Sequence, residues 1–128
     1  MGDVRMKRRP FMLYHWSPIE RRASITRYGL CPHKKSTDGS WRPPYVCFCR
    51  SPSVAWALSA THSEKAGAWD LWATWSDSAD RYTTLNTARN PKAAWWQTEY
   101  RIFQRIPKSK LWHVGSRMFS PRSRAQSR

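Results

Sequence analysis

Three short stretches hold the residues able to do chemistry. Leu13-Tyr14-His15-Trp16-Ser17 places a histidine at the end of an apolar run. Tyr45-Val46-Cys47-Phe48-Cys49-Arg50-Ser51-Pro52-Ser53 is an apolar run leading into serine and proline. Gln97-Thr98-Glu99-Tyr100-Arg101-Ile102-Phe103 carries one of only three glutamates in the chain, set in a β-like stretch where glutamate is disfavoured. A histidine can donate a hydrogen bond that fixes a substrate hydroxyl. A carboxylate can stabilise positive charge as it develops in a transition state. An aromatic ring offers a stacking face. Each stretch alone also has a plain structural explanation. These are a strand-end histidine held by a neighbouring carbonyl, an ordinary strand-to-helix joint, and an edge glutamate paired with an arginine.

The elements that must position these residues follow from periodicity and end signals. Residues 1–10 form a basic arm, and 11–16 read as a short strand. Ser17 as N-cap, Pro18 at the first helical position and Glu20 three residues after the cap form a capping box. The helix they open has Ile19, Ala23, Thr26 and Leu30 as its apolar stripe, and Gly29 is placed to end it. Residues 31–44 have the composition of a loop, and 45–49 form a strand. Strand alternation puts Tyr45, Cys47 and Cys49 on one face, with Val46 and Phe48 on the other. Ser51-Pro52 repeats the cap-then-proline signal and predicts a helix to about Thr61, with Val54, Ala55, Ala57 and Leu58 inward. Trp69, Leu71, Ala73 and Trp75 alternate as one strand face. Residues 82–85 read as a weak strand, 86–94 as a basic loop, 95–106 as the longest β-like stretch and 111–114 as a last short strand. The serine- and arginine-rich segment 115–128 is predicted to be disordered on its own. The order of elements is that of an α+β domain over 11–114, with two short helices packed on a sheet and a basic arm and tail outside it.

Composition narrows the partners. The 128 residues suit one domain, since chains split only beyond roughly 250 residues. Lys and Arg total 23 against 8 Asp and Glu, a net charge of +15 that favours nucleic acid, an acidic protein or an anionic cofactor as partner. No apolar run approaches the roughly 18 residues of a membrane span. The basic start is followed only by the short apolar run 11–14, too short for a signal peptide, which points to the cytoplasm. Cys31, Cys47 and Cys49 are an odd set without zinc-ligand spacing, so no metal site is predicted and reduced thiols are. Many of the nine tryptophans must be core.

Together the three stretches resemble the ADP-ribosyltransferase superfamily of the histidine–tyrosine–glutamate kind. Leu13-Tyr14-His15-Trp16-Ser17-Pro18, with Ile25 and Tyr28-Gly29-Leu30, looks like its first motif. Residues 45–55 look like the second, a strand entering a serine-bearing helix, and Thr98-Glu99-Tyr100-Arg101-Ile102 looks like the third. The resemblance implies an ADP-ribosyltransferase-like mixed or antiparallel sheet and NAD as cofactor. It implies Glu99 as the catalytic carboxylate and His15 as the donor to a ribose hydroxyl. Tyr45, Arg50 and Ser53 complete the NAD-binding set, Arg50 meeting the pyrophosphate. The family tyrosine falls nearest Cys47, and Tyr45, on the same predicted face, is the stacking candidate. The implied activity is transfer of ADP-ribose to a nucleic acid or a nucleic-acid-associated target, with His15 and Glu99 facing one cleft. Two other readings share the fold: a non-enzymatic basic nucleic-acid-binding or virion-type protein, and an RNA 2′-phosphotransferase.

Overall fold

The computed structural model describes residues 9–35, 41–61, 63–78, 82–86 and 98–121, with backbone alone for 33–35, 41–43 and 82–86. Its elements are β1 (Met12–Pro18), a 3₁₀ turn (Ile19–Arg21), α1 (Arg22–Tyr28), β2 (His33–Lys35) and β3 (Trp41–Cys49). There follow α2 (Pro52–Trp56), a π-helical turn (Ala57–Thr61), β4 (Gly67–Trp75), β5 (Tyr82–Asn86), β6 (Thr98–Ile102) and β7 (Trp112–Phe119). The strands make one seven-stranded sheet in the order β5-β6-β3-β1-β4-β7, with β2 added to β3, and every named pair is antiparallel. This is an α+β architecture with two short helices in the N-terminal half. Among the described residues no helix is long and apolar enough to cross a membrane.

The pleat sends alternate side chains to opposite faces, and each face has its own core. Leu13, Val46, Phe48, Trp72, Tyr100 and Ile102 pack with Ile25 of α1 and with Leu30 and Ile106. Trp16, Cys49, Trp69 and Leu71 pack on the other face with Ala55 and Trp56 of α2 and with Ala60. With both faces covered, residues 69–74 of β4 are all buried and only Trp75 at its end is exposed. The one-sided alternation predicted for Trp69, Leu71, Ala73 and Trp75 therefore gives way to burial on both sides. A bulge falls between Leu71 and Trp72.

The predicted capping box does not form. Ser17 and Pro18 stay in β1, paired with Asp70 and Trp69 in a ladder of seven residue pairs that outcompetes an early helix start. The Ser17 hydroxyl instead accepts from Trp72 Nε1 at 3.1 Å. Glu20 makes only an exposed 3.7 Å ion pair with Lys65, a contact worth little. The helix phase shifts accordingly: Ile19, Ala23 and Thr26 are exposed, and Ile25 is the buried residue of α1. The second cap is as predicted, with Ser51 Oγ accepting from the Val54 amide at 3.4 Å and Pro52 opening α2. There the π-helical turn carries the inward side to Trp56 and Ala60, leaving Ala57 and Leu58 exposed.

Three other boundaries differ. Segment 31–44, predicted as a loop, contains β2 and the start of β3. The stretch 95–106 is a strand only over Thr98–Ile102, and 95–97 lie outside the described residues. β7 continues past Val114 to Phe119, because the nine-residue β4 offers a partner as far as Gly67↔Phe119. Phe119 packs on Trp56 with ring centroids 6.1 Å apart, so part of the predicted tail is sheet. The arm 1–8, most of the basic loop 86–94 and the tail beyond 121 lie outside the described residues.

α1 is fixed to the sheet at both ends. Asp70, fully buried on β4, accepts from Arg22 Nε at 2.9 Å and Nη2 at 2.7 Å, from Ser116 Oγ at 2.7 Å and bonds His113 Nε2 at 2.9 Å. The Arg22 bond, aided by Ser116 and His113, outweighs burial and holds the Asp70 carboxyl down at about 2. At the other end Gly29 has φ +85° and its amide closes the helix on the Ile25 carbonyl at 2.8 Å. Leu30 and Ile106 then exchange two backbone hydrogen bonds of 2.9 Å. A Cβ on Gly29 would come within 2.1 Å of the Ile106 carbonyl oxygen.

Gly29→Ala should therefore cost about 2 kcal/mol or more, read as a lower denaturation midpoint, since left-handed strain and a backbone clash add. A depressed carboxyl pKa stabilises the fold above its unfolded value and loses that effect as pH falls through the folded value. Asp70 should accordingly contribute on the order of 2 kcal/mol that disappears between pH about 4 and about 2. Asp70→Asn should remove that segment of the stability–pH curve.

Candidate functional site

β1 meets β3 at one register pair among the described residues, Tyr14↔Cys49, and then follows β4. Farther along, β3 pairs with β2 through His33↔Tyr45 and Lys35↔Trp41. Between these contacts lies a gap, and His15 fills it: Nδ1 bonds the Cys47 carbonyl oxygen at 2.7 Å. A carbonyl only accepts, so Nδ1 carries the hydrogen, and Nε2 is the acceptor nitrogen of the neutral ring. The imidazole also lies against Phe48, centroids 5.4 Å apart.

On the opposite edge β3 pairs with β6, Cys49↔Glu99 and Cys47↔Arg101. Glu99 is buried at 9 % exposure. Its Oε1 accepts from Arg101 Nε at 2.5 Å and from the Cys47 thiol at 3.4 Å. Burial would lower the Arg101 pKa, but the hydrogen bond and charge of Glu99 turn the shift upward. The Arg101 guanidinium in turn covers the Tyr45 ring at 4.5 Å, and Phe103 meets that ring edge-on at 5.7 Å. Cys47 thus links groups on opposite faces of the sheet: Tyr45, Cys47, Glu99 and Arg101 share the face of Cys49 and α2, whereas His15, paired with Trp72, belongs to the face of Leu13 and α1. His15 and Glu99 both contact Cys47, the first at its carbonyl and the second at its thiol.

A cavity of about 270 Å³ opens beside His15, between α1 and β3. Ile25, Leu30, Val46, Tyr28 and Tyr45 give it apolar walls, and His15, Ser17, Arg21 and Ser24 supply polar groups. An apolar pocket with a few convergent polar groups is the usual form of a small-molecule site. Glu99 is not among its lining residues. It lies on the other face of the sheet, touching Cys47 and Arg101, because alternation along β3 and β6 sends it with Cys49; the expectation that His15 and Glu99 face one cleft is therefore not met. A second cavity of about 300 Å³, on the other flank of α1 beside Arg22, Thr26, Trp72 and His113, holds none of the predicted site residues.

Arg50 and Ser53 lie elsewhere. The Arg50 guanidinium sits over the Phe11 ring at 4.0 Å. Ser53 is exposed on α2, its hydroxyl 2.9 Å from that of Ser51. The structure brings neither to the cavity wall. The wall instead contains Arg21, Ser24 and Tyr28, which sequence reasoning passed over. Their spacing, with Ile25, is that of one helix stripe and was the available signal.

Compared with known proteins, the chain matches no family model, no curated protein and no solved structure.

The three cysteines are free thiols in three settings. Burial, with the Glu99 charge beside it, pushes the Cys49 thiol up to about 12. The thiolate is the reactive form, so Cys49 should resist iodoacetamide at pH 8 in the folded protein while half-buried Cys31 and Cys47 are modified. Peptide mapping checks this, and Cys49 should react only on unfolding.

Proposed function

We propose that the chain is an NAD-dependent ADP-ribosyltransferase, built on an ADP-ribosyltransferase-like sheet and acting on a nucleic acid or a nucleic-acid-associated target. The observation that carries this reading is the apolar cavity between α1 and β3, with His15 on its wall and Arg21, Ser24 and Tyr28 along one side of it. The net charge of +15 supports the choice of target.

NAD would supply a ribose whose bond to nicotinamide breaks through an oxocarbenium-like centre, as in glycoside cleavage. The residues present fit the demands of one half of that molecule. With Nδ1 given to the Cys47 carbonyl, His15 would meet a ribose hydroxyl through Nε2 as an acceptor in its neutral form, not as the expected donor, and Tyr45 and Tyr28 line the cavity. Arg21 at the wall supplies a positive charge for a phosphate, the part first given to Arg50. Glu99 is the carboxylate assigned to developing positive charge; from the opposite face of the sheet it would have to leave Arg101 and reach past Cys47 to meet the ribose.

The Glu99–Arg101 ion pair favours a second reading, in which the fold binds nucleic acid without turnover. Incubation with labelled NAD and DNA, RNA or protein acceptors separates the two. Under the first reading label is transferred, and Glu99→Gln lowers transfer by about 10²-fold or more while NAD binding persists. Equal turnover in the variant would remove Glu99 from the mechanism, and transfer to no acceptor would favour the binding protein.

A further inference from the structure

We infer that the mouth of the His15 cavity is a docking surface for single-stranded nucleic acid, with Tyr28 as the platform on which an unpaired base stacks. The inference rests on the reading of this cavity as a transfer site and gives that reading its acceptor class. Tyr28 ends α1, lines the cavity and is nevertheless 51 % exposed, an unusual outlay for a large aromatic side chain in a chain this polar. Cations surround it. The Arg27 guanidinium lies 5.2 Å from its ring centroid, and Arg105 Nη1 donates to its carbonyl oxygen at 2.8 Å. Arg21, seven residues earlier at the end of the 3₁₀ turn before α1, lines the same cavity. Among the described residues no carboxylate lines this cavity. A second exposed aromatic, Phe103 at 46 %, abuts Tyr45 of the cavity wall.

The chemistry that recognises this arrangement is a chain of phosphates carrying flat rings. Phosphates meet the arginines, and bases meet the aromatic faces without regard to sequence. A duplex hides its base faces in its own stack, so a stacking platform selects single strands. An acidic protein would satisfy the arginines but leaves the exposed ring without a stacking partner.

The test is fluorescence anisotropy of labelled oligo-dT and oligo-U 12-mers with the full chain, in the absence of NAD. Binding should be several-fold tighter to the single strand than to a duplex of equal length. Tyr28→Ala should weaken it about tenfold and Tyr28→Phe should restore it, the loss being that of one stacked base. Arg27→Ala and Arg105→Ala should each reduce the logarithmic salt slope by roughly 0.7. Tyr28→Leu, which keeps apolar bulk without a π-face, serves as the variant should the alanine form not fold. Equal affinity for duplex, no effect of removing the Tyr28 ring, or equal binding to a polyglutamate peptide would each overturn the inference. Because NAD is absent, intact oligonucleotide binding without ADP-ribose transfer would count against the enzymatic reading alone.

Discussion

The structure depends on how β1 divides its two edges. It pairs with β4 over seven residues but meets β3 only at Tyr14↔Cys49 before the two strands part. A buried backbone carbonyl left without a partner costs about 1–3 kcal/mol, so the parting must be compensated. His15 does this by bonding the Cys47 carbonyl from the side chain. The same parting leaves room for the cavity between α1 and β3. The position of the histidine and the cavity are consequences of one departure from regular pairing.

The chain has few carboxylates, and among the described residues Asp70 and Glu99 are buried, with opposite consequences. Asp70 is closed on all sides by Arg22, Ser116 and His113, and its charge holds α1 against the sheet. Its partners leave it no route to a ligand, and its low pKa is the signature of that structural role. Glu99 differs in its company. Its partners, Cys47 and Arg101, are themselves in contact with His15 and Tyr45 at the cavity. Glu99 is tied to one arginine and one thiol on the face of the sheet opposite His15, whereas Asp70 is held by three side chains at once.

The sequence made the class of fold legible, together with the second cap at Ser51 and the helix stop at Gly29, because each of these is written in local residue chemistry. It misplaced the start of α1, because Ser17 and Pro18 satisfy a capping rule and a strand ladder equally well and only the long pairing with β4 decides. That error carried into the site. Counting the helix from Ser17 put Ile19 and Ala23 inward, whereas counting from Arg21 gives Arg21, Ser24, Ile25 and Tyr28 as the stripe along the cavity. The continuation of β7 to Phe119 was likewise illegible, since a segment rich in serine and arginine becomes a strand only through its partner. His15, Tyr45 and Glu99 were singled out by residue type and order; His15 and Tyr45 line the cavity, whereas strand alternation sends Glu99 to the opposite face of the sheet. Arg50 and Ser53 were chosen by position alone, and the turn of the chain after β3 carries them away.

The central claim is that a ribose bound beside His15 comes under the Glu99 carboxylate. A crystal structure of the chain with a non-hydrolysable NAD analogue tests it most directly. The account predicts the nicotinamide-side ribose between the His15 imidazole and Glu99, with the Arg101 side chain swung off the carboxylate. An analogue bound away from His15, or bound there with the Glu99–Arg101 pair intact and out of reach of the ribose, would contradict it.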